Sequence, residues 1–213
     1  MRAFFRSAMA ATILLTATIP AAAQNIQTII LAGGCFWCVE SDFDLVNGVI
    51  DTKSGYTGGT TPNPTYKQVT KGGTGHYEAV QIKYDADIVS IETIMQAFWR
   101  SVDPTDAGGQ FCDRGDSYRT AVFATTPQQA AIAERSRAAA QKELGQKIVT
   151  PIRMASKFYL AEDYHQNYYQ SSAIVVTKYG PLTRSAAYKK YRKSCGRDAR
   201  VRQLWGSAAF PGT

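Results

Sequence analysis

Four cysteines carry most of the reactive chemistry in this chain, and two of them, Cys35 and Cys38, stand three apart in Cys35-Phe36-Trp37-Cys38. A cysteine is a nucleophile only as its thiolate, so the question is which one is placed to ionise. The apolar, β-branched run Gln27 to Ala32 reads as a buried strand that stops at Gly33-Gly34. From Cys35 to Val46 the apolar residues Phe36, Val39 and Phe43 recur at helical spacing. Cys35 is therefore expected at a helix start, where free N–H groups and the positive dipole end favour a thiolate. Such placement can take a thiol from ~8.5 to about 3.5–7.5. The two glycines are expected to leave the backbone beside the sulfur open to a substrate. Cys38, one turn on, is near enough for a disulfide with Cys35; for Cys35 itself the bland alternative is an inert buried cysteine.

The other two cysteines have different neighbours. Cys112 precedes Asp113, and Cys195 lies in Arg192-Lys193-Ser194-Cys195-Gly196-Arg197, where cations favour the thiolate. A zinc site would want a second pair to answer Cys35-Cys38, and none has that spacing, so no metal is expected. The chain also opens like an exported protein. Arg2 and Arg6 precede a nearly apolar stretch from Ala8 to Ile19, and Pro20 is followed by three alanines. This predicts a signal peptide over 1–23, cleaved between Ala23 and Gln24, since the run falls short of the ~20 residues a membrane span needs. A periplasmic or secreted protein with no stable membrane insertion follows, and thiols kept in an oxidising compartment call for a redox role.

With 24 Lys and Arg against 17 Asp and Glu the net charge is +7. Much of it gathers at Lys189, Lys190, Arg192, Lys193, Arg197, Arg200 and Arg202. An exported chain rarely meets nucleic acid, so this patch reads as a docking surface for a protein that returns electrons.

These residues need a scaffold. Val49 to Tyr56 and the alternating stretch His76 to Tyr84 read as strands, separated by a loop with Gly58, Gly59, Pro62 and Pro64. Ser90 caps a helix whose apolar face includes Ile91, Ile94, Met95 and Phe98. Tyr118 to Ala124 reads as a strand. Thr126, Pro127 and Gln129 open a long Ala-rich helix that ends at Leu144-Gly145. Ile148 to Arg153 and Lys157 to Leu160 read as short strands. Strands interleaved with helices, some joined by loops alone, predict an α+β fold: a two-layer mixed sheet with packed helices, a ferredoxin-like sandwich core. One catalytic domain is expected over 24–196, followed by an irregular tail over 197–213.

Gly34-Cys35-Phe36-Trp37 resembles the signature of the A-class peptide methionine sulfoxide reductases, although that family usually has glycine where Cys38 stands. The Cys-x-x-Cys pair alone also fits a thioredoxin- or DsbA-like thiol-disulfide oxidoreductase, with Thr150-Pro151 in the place of that fold's cis-proline. Five further blocks follow the reductase order: Gly55 to Gly59, Asn63 to Tyr66, Gly75 to Val80, Gln110 to Thr120 and Ala161 to Gln166. A non-catalytic module that recognises oxidised methionine is the third reading.

The resemblance implies reduction of methionine S-sulfoxide, free or in proteins, by Cys35, leaving a sulfenic acid that a second thiol resolves. Glu78 matches the family acid that holds a proton for the sulfoxide oxygen, which requires burial to raise its pKa. Tyr66 and Tyr118 match tyrosines aimed at the same oxygen, and Asp113 matches an aspartate that organises water and substrate. Phe36 and Trp37 should wall the substrate's methyl group. Cys195 is the favoured resolving cysteine, with Cys38 and Cys112 as alternatives and a Cys38–Cys112 disulfide as a hypothesis. His76 and His165 are expected to be structural. The family resemblance further implies a monomer with no cofactor, drawing electrons from a thioredoxin-like protein or dithiothreitol.

Overall fold

A computed structural model describes residues 24–211, so the expected signal peptide lies outside the described residues. The chain runs β1 (Ile26–Gly33), α1 (Phe36–Phe43), β2 (Val49–Thr57), α2 (Tyr66–Lys71), β3 (Tyr77–Asp85) and α3 (Ile91–Trp99). A small hairpin of β4 (Gly109–Gln110) and β5 (Asp113–Arg114) precedes β6 (Thr120–Ala124) and α4 (Pro127–Leu144). Then come β7 (Ile152–Met154), β8 (Tyr159–Leu160), a second hairpin of β9 (Ile174–Thr177) and β10 (Gly180–Thr183), α5 (Arg184–Ser194) and α6 (Arg197–Trp205).

Six strands form one sheet in the order β7-β6-β1-β3-β2-β8. All its pairings are antiparallel except β6 with β7, which makes the sheet mixed. Alternation along the strands sorts side chains between two faces. Ile29 and Leu31 of β1 and Val80, Ile82 and Tyr84 of β3 join a large core with Phe36, Val39 and Phe43 of α1 and Ile94, Met95 and Phe98 of α3. Ile30, Ala32, Tyr77, Ala79, Ala121 and Phe123 point the other way, where Ala155 and Phe158 cover them. Helices thus pack on one face and loop residues on the other, the expected two-layer α+β arrangement.

Local signals set most helix starts. Ser90 accepts from Thr93 N–H at 3.1 Å, and Thr126 from Gln129 N–H at 3.1 Å. α4 ends at Gly145, whose φ of 66° few other residues adopt readily. The Gln129 amide also donates to the Thr28 carbonyl of β1 at 3.0 Å, fastening α4 to the sheet.

Parts of the sequence reading fail. Residues 148–150 are not strand, because loops and side chains satisfy their backbone: Ile148 N–H donates to Gln141 at 2.9 Å and Val149 N–H to the Pro104 carbonyl at 2.8 Å. The Thr150-Pro151 bond is not cis, since the described residues contain no cis peptide. Nor is the region from Arg197 an irregular tail. It forms α6, whose Val201 and Trp205 enter the main core, so the domain does not end at residue 196. No helix among the described residues is long and apolar enough to cross a membrane.

Candidate active site

The β1–α1 turn delivers Cys35 to the helix start, where its carbonyl accepts from Cys38 N–H at 3.1 Å. Gly34 makes the turn at φ +84°, and a Cβ there would lie 2.6 Å from the Cβ of Gln110. A Cβ on Gly33 would press on Val39 and Val102 at 2.9 Å. The glycines therefore admit close-packed neighbours instead of opening the backbone to a substrate, which corrects the expectation.

The resting sulfur also departs from expectation. Cys35 is 7 % exposed, and burial raises its thiol well above the ordinary value, reinforced by the adjacent Cys38 and the Glu78 and Asp113 carboxyls. Cys38 is the lowered thiol of the pair, through its hydrogen bond with Cys35 and the nearby Arg197 and Arg192, against its own burial. Burial, first of these causes, thus holds the Cys35 thiol up, against the direction that a helix start alone would give.

Glu78 faces this thiol. It lies two residues before Val80 on β3, so alternation turns it to the helix-covered face, opposite Tyr56 of β2. Its Oε2 accepts from Phe36 N–H at 3.0 Å. Burial raises its pKa to about 8, with Asp113 and Cys38 adding to the rise and the Phe36 bond opposing it. At neutral pH it keeps its proton, as an acid for this chemistry must.

Tyr66 and Tyr118 arrive from separate elements. Thr65 and Gln68 form a capping box that fixes α2, with Tyr66 in its first position and Tyr66 N–H donating to Glu162 at 2.9 Å. Tyr118 is not in a strand as expected. It closes a 3-10 turn, Asp116–Tyr118, made possible by Gly115 at φ +112°. Burial raises both phenols, and the Glu78 carboxyl adds to it, so both remain hydroxyl donors.

These groups converge. Cys35, Phe36, Trp37, Tyr66, Glu78, Asp113, Tyr118 and Tyr191 line one cavity of about 60 Å³. The Trp37 indole stacks on Tyr168, centroids 3.8 Å apart and planes 8° from parallel, and its N–H donates to His165 Nδ1 at 3.1 Å. Burial lowers His165 to about 4, which keeps that nitrogen an acceptor. His76 Nδ1 accepts from Gly59 N–H at 3.2 Å, and its Nε2 lies 2.8 Å from the Thr61 carbonyl. Both histidines are hydrogen bonded.

Cys112 is disulfide-bonded to Cys195, and Cys35 and Cys38 are free, which replaces the Cys38–Cys112 hypothesis. Cys112 sits at the exposed tip of the β4–β5 hairpin, whereas Cys38 points into a buried cluster with Tyr168 and Tyr188. Cys195 ends α5, and Tyr191, one turn earlier, donates its hydroxyl to Asp113. Bridge and hydrogen bond together hold the hairpin bearing Asp113 against α5.

Sequence reasoning missed Tyr191, and it misread two cations. Arg192 and Arg197 are buried, not part of a solvated patch. Arg192 pairs with Asp42 of α1 at 2.8 Å, and Arg197 donates to the Gly33 carbonyl at 3.0 Å. Asp42 was the available signal: four residues after Cys38, between two core residues of α1, an acid there needs a buried base.

The peptide methionine sulfoxide reductase family model matches residues 27–204. Peptide methionine sulfoxide reductase MsrA 2 of Rhizobium meliloti is 47% identical over 194 residues, covering 91% of each chain. The Caulobacter vibrioides protein of the same name is 49% identical over 199 residues, covering 92% of this chain and 95% of its own. Among solved structures, the reduced form of Mxr1 from Saccharomyces cerevisiae matches with a TM-score of 0.65 and 32% identity, over 68% of this chain and 84% of that one. Methionine sulfoxide reductase A of Corynebacterium diphtheriae matches with a TM-score of 0.61 and 33% identity, over 69% and 75%.

Proposed function

The chain belongs to the peptide methionine sulfoxide reductases of the A class, and from that premise we propose that it reduces the S-sulfoxide of methionine, free or in proteins, with Cys35 as nucleophile. One observation supports this most: a single small cavity brings the Cys35 thiol, a protonated Glu78 and two phenols together.

In this reading the sulfoxide oxygen sits between the Glu78 carboxyl and the Tyr66 and Tyr118 hydroxyls. Their hydrogen bonds strengthen as charge leaves sulfur for oxygen, so they stabilise the transition state more than the bound substrate. The Cys35 sulfur attacks the electrophilic sulfoxide sulfur while Glu78 gives its proton to the sulfoxide oxygen and takes up the thiol proton in its place. The S=O bond breaks, oxygen passes to Cys35 with the proton it took from Glu78, and methionine leaves; the cysteine is oxidised to a sulfenic acid and the sulfoxide reduced. Phe36 and Trp37, the latter anchored by Tyr168 and His165, receive the methyl group, and Asp113, held by Tyr191, orders water beside the sulfur.

Cys195, once released from Cys112, supplies the thiol that condenses with the sulfenic acid, forming a disulfide and water. Cys38, hydrogen bonded to Cys35, is the alternative thiol while Cys195 is bridged. A thioredoxin-like protein, or dithiothreitol in its place, reduces the disulfide, so the electrons come from thiols without a bound cofactor. The opening residues support export and cleavage, hence a periplasmic or secreted protein that repairs oxidised proteins, and the family resemblance leans to a monomer.

The test is the full chain with dithiothreitol and each sulfoxide epimer separately, measuring methionine. Loss of only the S form supports the reading. Refolding of scrambled disulfide proteins without methionine production would replace it with thiol-disulfide exchange.

A further inference from the structure

Beside the small cavity lies a larger groove of about 260 Å³. The two share Trp37 and Tyr191, so they lie side by side against the same two rings. Leu182 and Ala187 add apolar wall from β10 and α5, and Tyr179 tops the β9–β10 hairpin. Lys178 and Lys190 stand at the rim, each ammonium 5.1 Å from the Tyr179 ring centroid.

The reaction cavity, at about 60 Å³, has room for only a few heavy atoms, enough for a methylsulfinyl head. The remaining polypeptide has to continue outside it, and the groove across the shared Trp37–Tyr191 edge is the adjoining apolar surface. Trp37 is held there by its stack on Tyr168 and its bond to His165, so the edge is rigid and needs little ordering when a chain lies across it. We propose that the groove is a subsite for the residue flanking methionine sulfoxide in a protein substrate, taking an apolar side chain, and that the two rim lysines favour a neighbouring carboxylate. Burying such a side chain removes apolar surface from water on both partners, while the exposed ammoniums select sign more than they add affinity.

This specificity rests on the reading of the small cavity as the methylsulfinyl site, and free methionine sulfoxide, which has no flanking residue, tests that reading separately. The experiment measures kcat/KM with dithiothreitol for three substrates: free methionine S-sulfoxide, a blocked pentapeptide with glycines around the sulfoxide, and one with leucine on each side and glutamate at each end. The leucine and glutamate peptide is expected to exceed the glycine peptide by about tenfold, the discrimination that a few buried methylenes give. Leu182→Asp should bring the two peptides within about twofold, and Lys178→Glu with Lys190→Glu should remove the part of the preference that salt screens. Equal rates for the two peptides with the natural protein would overturn the proposal. So would a Leu182→Asp variant that loses free and peptide substrates in the same proportion, which marks a structural residue. A variant that keeps the peptide preference while its KM for a thioredoxin-like donor rises would also overturn it and assign the groove to the donor. If free methionine S-sulfoxide is not reduced at all, it is the small cavity's reading that fails.

Discussion

Glu78 Oε2 accepts a hydrogen bond from the Phe36 amide at 3.0 Å, so the acid of the site is tied to the first turn of the helix that follows Cys35. The carboxyl proposed as proton donor thus also caps one of the helix's free N–H groups and fixes its spacing from Cys35.

That relationship gives a pH dependence. Glu78 titrates at about 8, so the acid form is lost as pH rises through that value, and kcat/KM should fall on the alkaline limb. Glu78→Gln should lower kcat/KM by about 100-fold or more and flatten the limb. A natural protein with no alkaline fall between pH 7 and 9 would contradict the assignment.

The same group affects stability. Its folded pKa is raised above the ordinary 4.5, so the stabilisation is complete below about 4.5 and is lost as pH climbs through about 8. At pH 9 the natural protein holds a buried carboxylate. Glu78→Gln should then be the more stable of the two by at least about 1 kcal/mol, because a tenfold change in proton affinity between the folded and unfolded chain is worth about 1.4 kcal/mol. The difference should shrink at pH 4. Thermal unfolding at the two pH values reads it.

The Trp37–His165 bond should set substrate binding. His165→Leu leaves a part-buried indole N–H without its acceptor and frees the ring to tilt, at a cost of about 1–3 kcal/mol. KM should rise several-fold with kcat little changed, because the wall holds substrate and transition state alike. A loss confined to kcat would point instead to His165 in proton transfer.

Removing the cation from Asp42 should cost far more than a surface pair. Arg192→Met leaves a buried carboxylate with only Arg197, 3.6 Å away, and should destabilise by about 3–5 kcal/mol. Burial already raises Asp42, so the defect should ease in acid, where that carboxyl takes a proton. Asp42→Asn in the same chain should recover part of the loss, and a double-mutant cycle with denaturant unfolding measures how much.

Cysteine roles separate chemically. Tryptic mapping without reductant should find Cys112 joined to Cys195, with Cys35 and Cys38 alkylated as free thiols. Cys35→Ser should abolish turnover. Cys195→Ser should permit one turnover and block recycling by a thioredoxin-like donor; if it recycles normally, Cys38 or Cys112 is the resolving thiol.

Local patterns determined a good deal here. The apolar run ending in Gly33-Gly34, the helical spacing of Phe36, Val39 and Phe43, and the caps at Ser90 and Thr126 are near-neighbour properties, and the structure keeps them. Glu78 came from the resemblance to the reductase family, and the structure places it on the face of Val80 and Ile82. What only tertiary structure decided came from residues far apart in the chain. The ionisation of Cys35 follows from burial beside Glu78 and Asp113, which overrides the helix-start argument. The choice of Cys112 as the partner of Cys195 depends on where α5 lies, and no spacing in the chain encodes that. Arg192 and Arg197 look like solvated charge until α5 and α6 fold back on α1, and Asp42 and the Gly33 carbonyl become their surroundings. Charge and thiol chemistry depend on solvent exclusion and on neighbours brought together by packing, whereas helix and strand periodicity depends on the next few residues.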